Sequence, residues 1–188
     1  MIDSHISDIK WMKRAIYLAS LGKGRTSPNP MVGAVILDKN GNLISEGFHS
    51  KSGMPHAEAM AFNNLKKDAR DGTIYVNLEP CCHQGKTPPC VDKIISFGIK
   101  KVFVSIEDPD KRVSGKGIKL LKDAGIKVHL GLCEKESQEL NKSFIHRNIT
   151  DNAFGVMKWA MSMDGRVGLK NGKSKWITNK DSRSLVHS

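Results

Sequence analysis

Between residues 8 and 21 (DIKWMKRAIYLASL) apolar side chains recur at helical spacing. Met12, Ala15, Ile16 and Ala19 fall on one face, and Gly22 follows as a stop. After the loop TSPNP (26–30) come two strand-like runs, MVGAVILD (31–38) and LISEGFH (43–49). Lys39-Asn40-Gly41-Asn42 joins them, and its Asn-Gly pair favours a tight hairpin because both residues tolerate positive φ. The pattern then alternates. A helix from about Ala57 to Lys66 precedes the strand TIYVNLEP (73–80), and one from about Pro89 to Phe97 ends at Gly98 before the strand KVFVSIED (101–108). A third, about 116–124, ends at Gly125 before the strand IKVHLG (126–131). Strand–helix–strand alternation implies right-handed crossovers and a sheet covered on both faces. The hairpin at its start makes the sheet mixed. The expectation is a three-layer α/β/α domain over residues 1–150.

A second region begins at Asp151. FGVMKWAM (154–161) reads as a strand, SMDGRVGLKNGKSKWIT (162–178) as a polar, Gly-rich excursion, and a short helix precedes Ser188. A segment this short cannot close a core of its own. No apolar stretch approaches the ~20 residues of a membrane span, and the N-terminus lacks a signal-peptide core. A cytoplasmic location is the expectation.

Hydrophobic residues make up 39% and charged residues 26%, ordinary values for a globular chain. The net charge of +11 suits anionic ligands: nucleic acid, a membrane surface or a phosphorylated metabolite. The basic residues are spread along the chain, with no arginine-rich run or interleaved aromatic stripe, so nucleic acid is not the expected ligand. Cys81, Cys82, Cys90 and Cys133 are too few and too clustered for a disulfide framework, and point to metal first.

Three pieces carry chemistry: His56-Ala57-Glu58, Glu79-Pro80-Cys81-Cys82-His83 and Pro88-Pro89-Cys90. A catalytic zinc takes three nitrogen and sulfur ligands and leaves one position for water. One histidine and two cysteines supply such a set. Zinc makes hydroxide available near neutral pH, and a carboxylate two residues beyond the histidine can carry protons to a ring nitrogen and a departing amine. H-x-E followed by P-C-x-x-C is the zinc deaminase signature, with the Glu outside the metal shell. A structural zinc would need a fourth protein ligand, which His83 could supply. Both helices begin at this constellation, where their partial positive charge favours thiolate and hydroxide.

The second cysteine comes nine residues after the first, where nucleoside and nucleic-acid deaminases usually have three. With TSPNPMVGAVI, GFH (47–49), PHAE and LEPCCHQGKTPPC, the chain closely resembles the deaminase domain of the bifunctional riboflavin biosynthesis proteins, the RibD family. The resemblance runs on through SIEDPDKRVSGKGIKLLKDAGIKV (105–128) and LNKSF (140–144). KWAMSMDGRV and SKWIT look like the opening of that family's reductase domain.

The resemblance implies a cytidine-deaminase-like fold, with His56, Cys81 and Cys90 as zinc ligands and Glu58 as proton shuttle. Cys82 stands where a serine is usual and reads as a non-ligand. Asn29 and His49 match pocket residues for the pyrimidine and its substituents. Lys86 is the residue expected at the substrate phosphate, against the plainer reading of a solvated loop charge. His83 is either a partner of the metal ligands or a substrate contact. In residues 151–188, Ala160 and Trp176 match positions near a nicotinamide cofactor and Ser174 a position near substrate. Most of the reductase pattern is missing, so NADPH is expected only with a complete reductase domain, and these residues read first as a tail or docking strand. The implied reaction is deamination of 2,5-diamino-6-(5-phosphoribosylamino)pyrimidin-4-one to 5-amino-6-(5-phosphoribosylamino)uracil and ammonia. The alternatives are a tRNA deaminase and a catalytically idle zinc module serving a separate reductase. Partners beyond the substrate stay open between a homo-oligomer and that reductase.

Overall fold

The computed structural model describes residues 2–83, 88–150 and 152–186. The chain divides into two compact units, residues 1–152 and 153–188. In the first, the helix α1 (Ile2–Ser20) leads to β1 (Gly33–Leu37) and β2 (Leu43–Phe48). Then follow α2 (Ala57–Asn63), β3 (Thr73–Leu78), α3 (Cys90–Ser96), β4 (Lys101–Ile106), α4 (Lys116–Asp123) and β5 (Lys127–Leu130). Two further helices, α5 (Glu134–Leu140) and α6 (Lys142–Ile149), complete it.

The five strands form one sheet in the order β2-β1-β3-β4-β5. β1 is antiparallel to both β2 and β3, while β3, β4 and β5 are parallel. The mixed sheet expected from the hairpin and crossovers is therefore observed. Its central strands are buried on both sides, and alternate residues feed two cores. Ala34, Ile36, Ile74, Val76, Val102 and Val104 enter the larger core with Ala57, Phe62, Val91, Ile94 and Leu121. That core lies under α2, α3 and α4. Val35, Leu37, Tyr75 and Phe103 face the other way, onto Met12, Ala15 and Leu18 of α1. There Tyr75 stacks on Phe103 at 4.7 Å, and the Tyr75 hydroxyl donates to Asp8 at 2.5 Å.

Four details differ from expectation. The β1–β2 connection is not a two-residue turn: only Gly41 has positive φ, and Asp38 organises the loop by accepting from the backbone of Asn40 and Asn42. A register shift between Ile36 and Leu37 accompanies it. α5 and α6 carry no apolar stripe that periodicity could have found; of the α5 residues only Ser137 is buried, and of α6 none. Residues 154–161, expected as a strand, form none. An isolated strand has no neighbour to pair its backbone groups, so an apolar run alone does not make one. The second unit contains α7 (Lys180–Val186), the expected short helix. Among the described residues no helix is long and apolar enough to cross a membrane.

The packing of α2 on β2 sets the position of the site. A Cβ on Gly47 would stand 2.5 Å from the Ala61 nitrogen and 2.7 Å from the Ala57 oxygen, so the helix backbone lies directly on this glycine. Gly47→Ala is expected to push α2 off the sheet and cost about 1–3 kcal/mol, the usual range for overpacking. The shift in denaturation midpoint measures it; an unchanged midpoint would show that α2 yields freely.

Candidate active site

Three chain segments converge at the carboxyl end of β3. His56 is the N-cap of α2, in extended conformation after Pro55, and Cys90 is the first residue of α3, after Pro89. Cys81 lies between them in sequence, just beyond β3. The His56 Nδ1 lies 3.5 Å from the Cys81 Sγ and 3.5 Å from the Cys90 Sγ. All three ligand atoms fall within 4.8 Å of one another. Bonds of about 2.3 Å to sulfur and about 2.0 Å to nitrogen at tetrahedral angles separate the two atoms by about 3.5 Å. The triangle therefore fits zinc. Cys90 is buried behind the cluster, whereas His56 and Cys81 line an open cleft of about 260 Å³.

The triangle is electrostatically polarised. Hydrogen bonding from the Cys90 thiol, and then from His56 and the Cys90 backbone N–H, pulls the Cys81 thiol down to about 4. Cys90 is pushed well above the usual thiol range by that same hydrogen bond and by burial. Glu58, in the first turn of α2, is buried at 3% exposure. Burial first, and the Cys81 charge second, raise its carboxyl to about 7. A carboxyl poised there can both take up and give back a proton near neutrality.

A pair of side chains forms the opposite wall. The His49 Nδ1 lies 3.0 Å from the Pro55 oxygen and its Nε2 3.1 Å from the Asn29 Nδ2. The carbonyl at Pro55 requires N–H on Nδ1, so Nε2 accepts from the Asn29 amide. Burial lowers the His49 pKa and keeps the ring neutral. His83 also lines the cleft, and its buried Nδ1 has no partner among the described residues. Lys86 lies outside the described residues. Cys82 is partly buried against the larger core and is not in the ligand cluster, and Cys133 is the N-cap of α5. Ala160, Ser174 and Trp176 belong to the second unit, where the exposed Trp176 ring is covered by the Arg183 guanidinium at 4.1 Å.

Sequence reasoning missed the rest of the cleft: Asp108, Asp110 and Arg112 beyond β4, and Phe144, Arg147 and Asn148 on α6. The first three had a signal, since ligands of parallel sheets bind outside the carboxyl ends of the strands. The α6 residues had none in the periodicity. Glu79, part of the motif, proves to be an anchor. Its carboxylate accepts from the backbone N–H of Asp108 at 3.2 Å, Gly115 at 2.9 Å and Ile118 at 3.1 Å. It thus caps α4 and ties it to the strand end that carries Cys81.

Residues 5–106 match the family described as the cytidine and deoxycytidylate deaminase zinc-binding region, and the chain belongs to that family. Its similarity to particular members is extensive. It is 47% identical over 180 residues to the riboflavin biosynthesis protein RibD of Aquifex aeolicus, covering 96% of this chain and 50% of that one. The crystal structure of a diaminohydroxyphosphoribosylaminopyrimidine deaminase/5-amino-6-(5-phosphoribosylamino)uracil reductase from Thermotoga maritima superposes with a TM-score of 0.92 at 44% identity. That match covers 98% of this chain and 53% of that one. RibD of Acinetobacter baumannii superposes at 0.87 and 44% identity, over 97% and 51% of the two chains. The chain spans about half the length of these relatives.

The donor set leads to a stoichiometry. One zinc per chain is expected, retained in Cys82→Ser and Cys133→Ser and lost in Cys81→Ser and Cys90→Ser. Because both thiols must ionise to bind metal, retention falls as pH is lowered. Elemental analysis after dialysis checks this; zinc lost from Cys82→Ser and kept in Cys90→Ser would overturn the ligand set.

Proposed function

We propose that this chain hydrolyses the exocyclic amine of 2,5-diamino-6-(5-phosphoribosylamino)pyrimidin-4-one, giving 5-amino-6-(5-phosphoribosylamino)uracil and ammonia. The observation that carries the reading is the His56–Cys81–Cys90 triangle with a buried Glu58 beside it, at a cleft that His56, Glu58 and Cys81 line. The similarity to proteins named RibD supports the particular pyrimidine. The residues assigned to the domain are 1–150. Residues 151–188 are assigned to the opening of a reductase domain, in which Ala160 and Trp176 would lie near a nicotinamide cofactor and Ser174 near substrate only where that domain is complete; by themselves they read first as a tail or docking strand.

His56, Cys81 and Cys90 would hold zinc, which when bound supplies the Lewis acidity that makes hydroxide available from water at neutral pH. The chain's own residues do the rest. Glu58 accepts a proton from the attacking water and delivers it to the ring nitrogen. It then carries the second proton to the exocyclic nitrogen, which leaves as ammonia. The new carbonyl oxygen comes from water, so the reaction needs no oxidant or reductant. Asn29 and His49 would orient the ring through their fixed hydrogen bond, with His83 offering its unpartnered nitrogen to the substrate. Lys86 would meet the phosphate.

Ammonia release from the diaminopyrimidine phosphate, dependent on zinc, tests the reading; a protein that releases none, or that deaminates only an RNA hairpin, refutes it. Glu58→Gln should keep fold and zinc yet lose about 10²–10⁴ in kcat, because an amide shuttles no proton. Wild-type turnover in that variant would remove Glu58 from the mechanism. Lys86→Ala should raise KM more than it lowers kcat, and an unchanged KM would place the phosphate elsewhere.

A further inference from the structure

The cleft continues past the ligand cluster to a wall made by α6, which contributes Phe144, Arg147 and Asn148. Spaced i, i+3 and i+4, they share one helix face. Two arginines line the cleft, and they differ in what they are free to do. Arg112 is committed to Asp110: its Nε lies 3.0 Å from both carboxylate oxygens and its Nη2 2.5 Å from one of them. Arg147 lies over the Phe144 ring, 5.6 Å from its centre, and is exposed. Among the described residues no carboxylate is paired with it.

α6 is also held in place. Asn141, 1% exposed just before the helix, accepts from the Met31 nitrogen at 2.8 Å and donates to the Met31 oxygen at 2.9 Å. Met31 follows the Asn29–Pro30 segment, so one buried amide ties the helix bearing Arg147 to the loop bearing Asn29. The Asn148 amide donates to the Phe144 oxygen at 2.9 Å and is turned back onto its own helix.

We infer that Arg147, seated on Phe144, receives the phosphate monoester of the substrate and sets the preference for phosphorylated over unphosphorylated pyrimidine ribosides. The inference rests on the deaminase reading and deepens it. The reacting carbon must lie against the triangle and Glu58, so the ribosyl arm points away from them toward the rim, where Arg147 stands. A phosphate monoester carries about −1.5 to −2 charge at pH 7, more than a single lysine neutralises. A planar guanidinium donates two parallel hydrogen bonds to it. The ring beneath holds the guanidinium in place before the ligand arrives.

The test uses the zinc-loaded full chain, with Arg147→Ala and Arg147→Lys, on the diaminopyrimidine with and without its phosphate. Arg147→Ala should raise KM for the phosphorylated substrate at least ~10-fold with kcat within ~2-fold. Its turnover of the unphosphorylated compound should stay at the wild-type level, and Arg147→Lys should recover part of the loss. Equal losses on both substrates, or none on either, overturn the inference. Calorimetric binding of ribose 5-phosphate needs no turnover and separates the two readings. Weaker binding in Arg147→Ala, in a protein that deaminates neither pyrimidine, sinks the proposed reaction and leaves the phosphate site standing. Equal affinity in wild type and variant, or no binding to either, sinks the phosphate site.

Discussion

The 3.5 Å separations from the His56 Nδ1 to two sulfurs constrain where three segments of the chain can run. His56 precedes α2, Cys81 follows β3 and Cys90 begins α3, so two crossover helices must start at the same strand end. That convergence places the two helix N-termini beside the thiols, where their partial charge favours ionised sulfur. It also explains why α2 sits so low on β2 that only a glycine at position 47 leaves it room. Glu58, in the first turn of α2, enters the interior on the same helix face and is charged with difficulty there.

Around this triangle the chain satisfies its buried backbone with side chains where strand pairing cannot reach. The Asn77 amide, fully buried, accepts from Gly33 at 2.8 Å and donates to the Met31 oxygen at 3.1 Å. Asn141 holds Met31 from the other side. Glu79 takes two backbone N–H groups at the start of α4, those of Gly115 and Ile118, and that of Asp108 beyond β4. An unpaired buried backbone group costs about 1–3 kcal/mol, so each of these polar residues settles a loop that would otherwise be free to choose. The walls of the cleft are therefore fixed by buried polar residues that have no part in the chemistry.

The distribution of charge in the cleft follows from the same economy. Asp110 is held below the usual carboxylate range, to about 2, by its hydrogen bonds with Arg112. Burial raises Asp108 to about 6. Arg112 thereby cancels the charge that Asp110 brings to the wall, while Arg147 keeps its own. The cleft therefore has the His56–Cys81–Cys90 cluster at one end and, on its α6 wall, an arginine with no carboxylate paired to it among the described residues.

Much of this was legible in the residues themselves. Helices α1 to α4 were legible from the period of the faces they bury, and the central strands β1, β3 and β4 from continuous apolar runs that turn signals bound, because these strands are buried on both sides. His56, Glu58, Cys81 and Cys90 were legible for a chemical reason: few arrangements other than a metal site place these residue types at this spacing. What periodicity could not show was α5 and α6, which bury almost nothing, and the fate of residues 154–161, whose apolar run meets no neighbouring strand. Nor could it show that Glu79, inside the motif, caps a helix that begins 37 residues later at Lys116. The roles of Glu79 and Asn141 depend on contacts with distant segments, Gly115 and Ile118 for the first and Met31 for the second, and such contacts exist only once the sheet has brought the segments together. A local pattern records which face of an element is buried; it holds no record of which distant backbone group a polar side chain will meet.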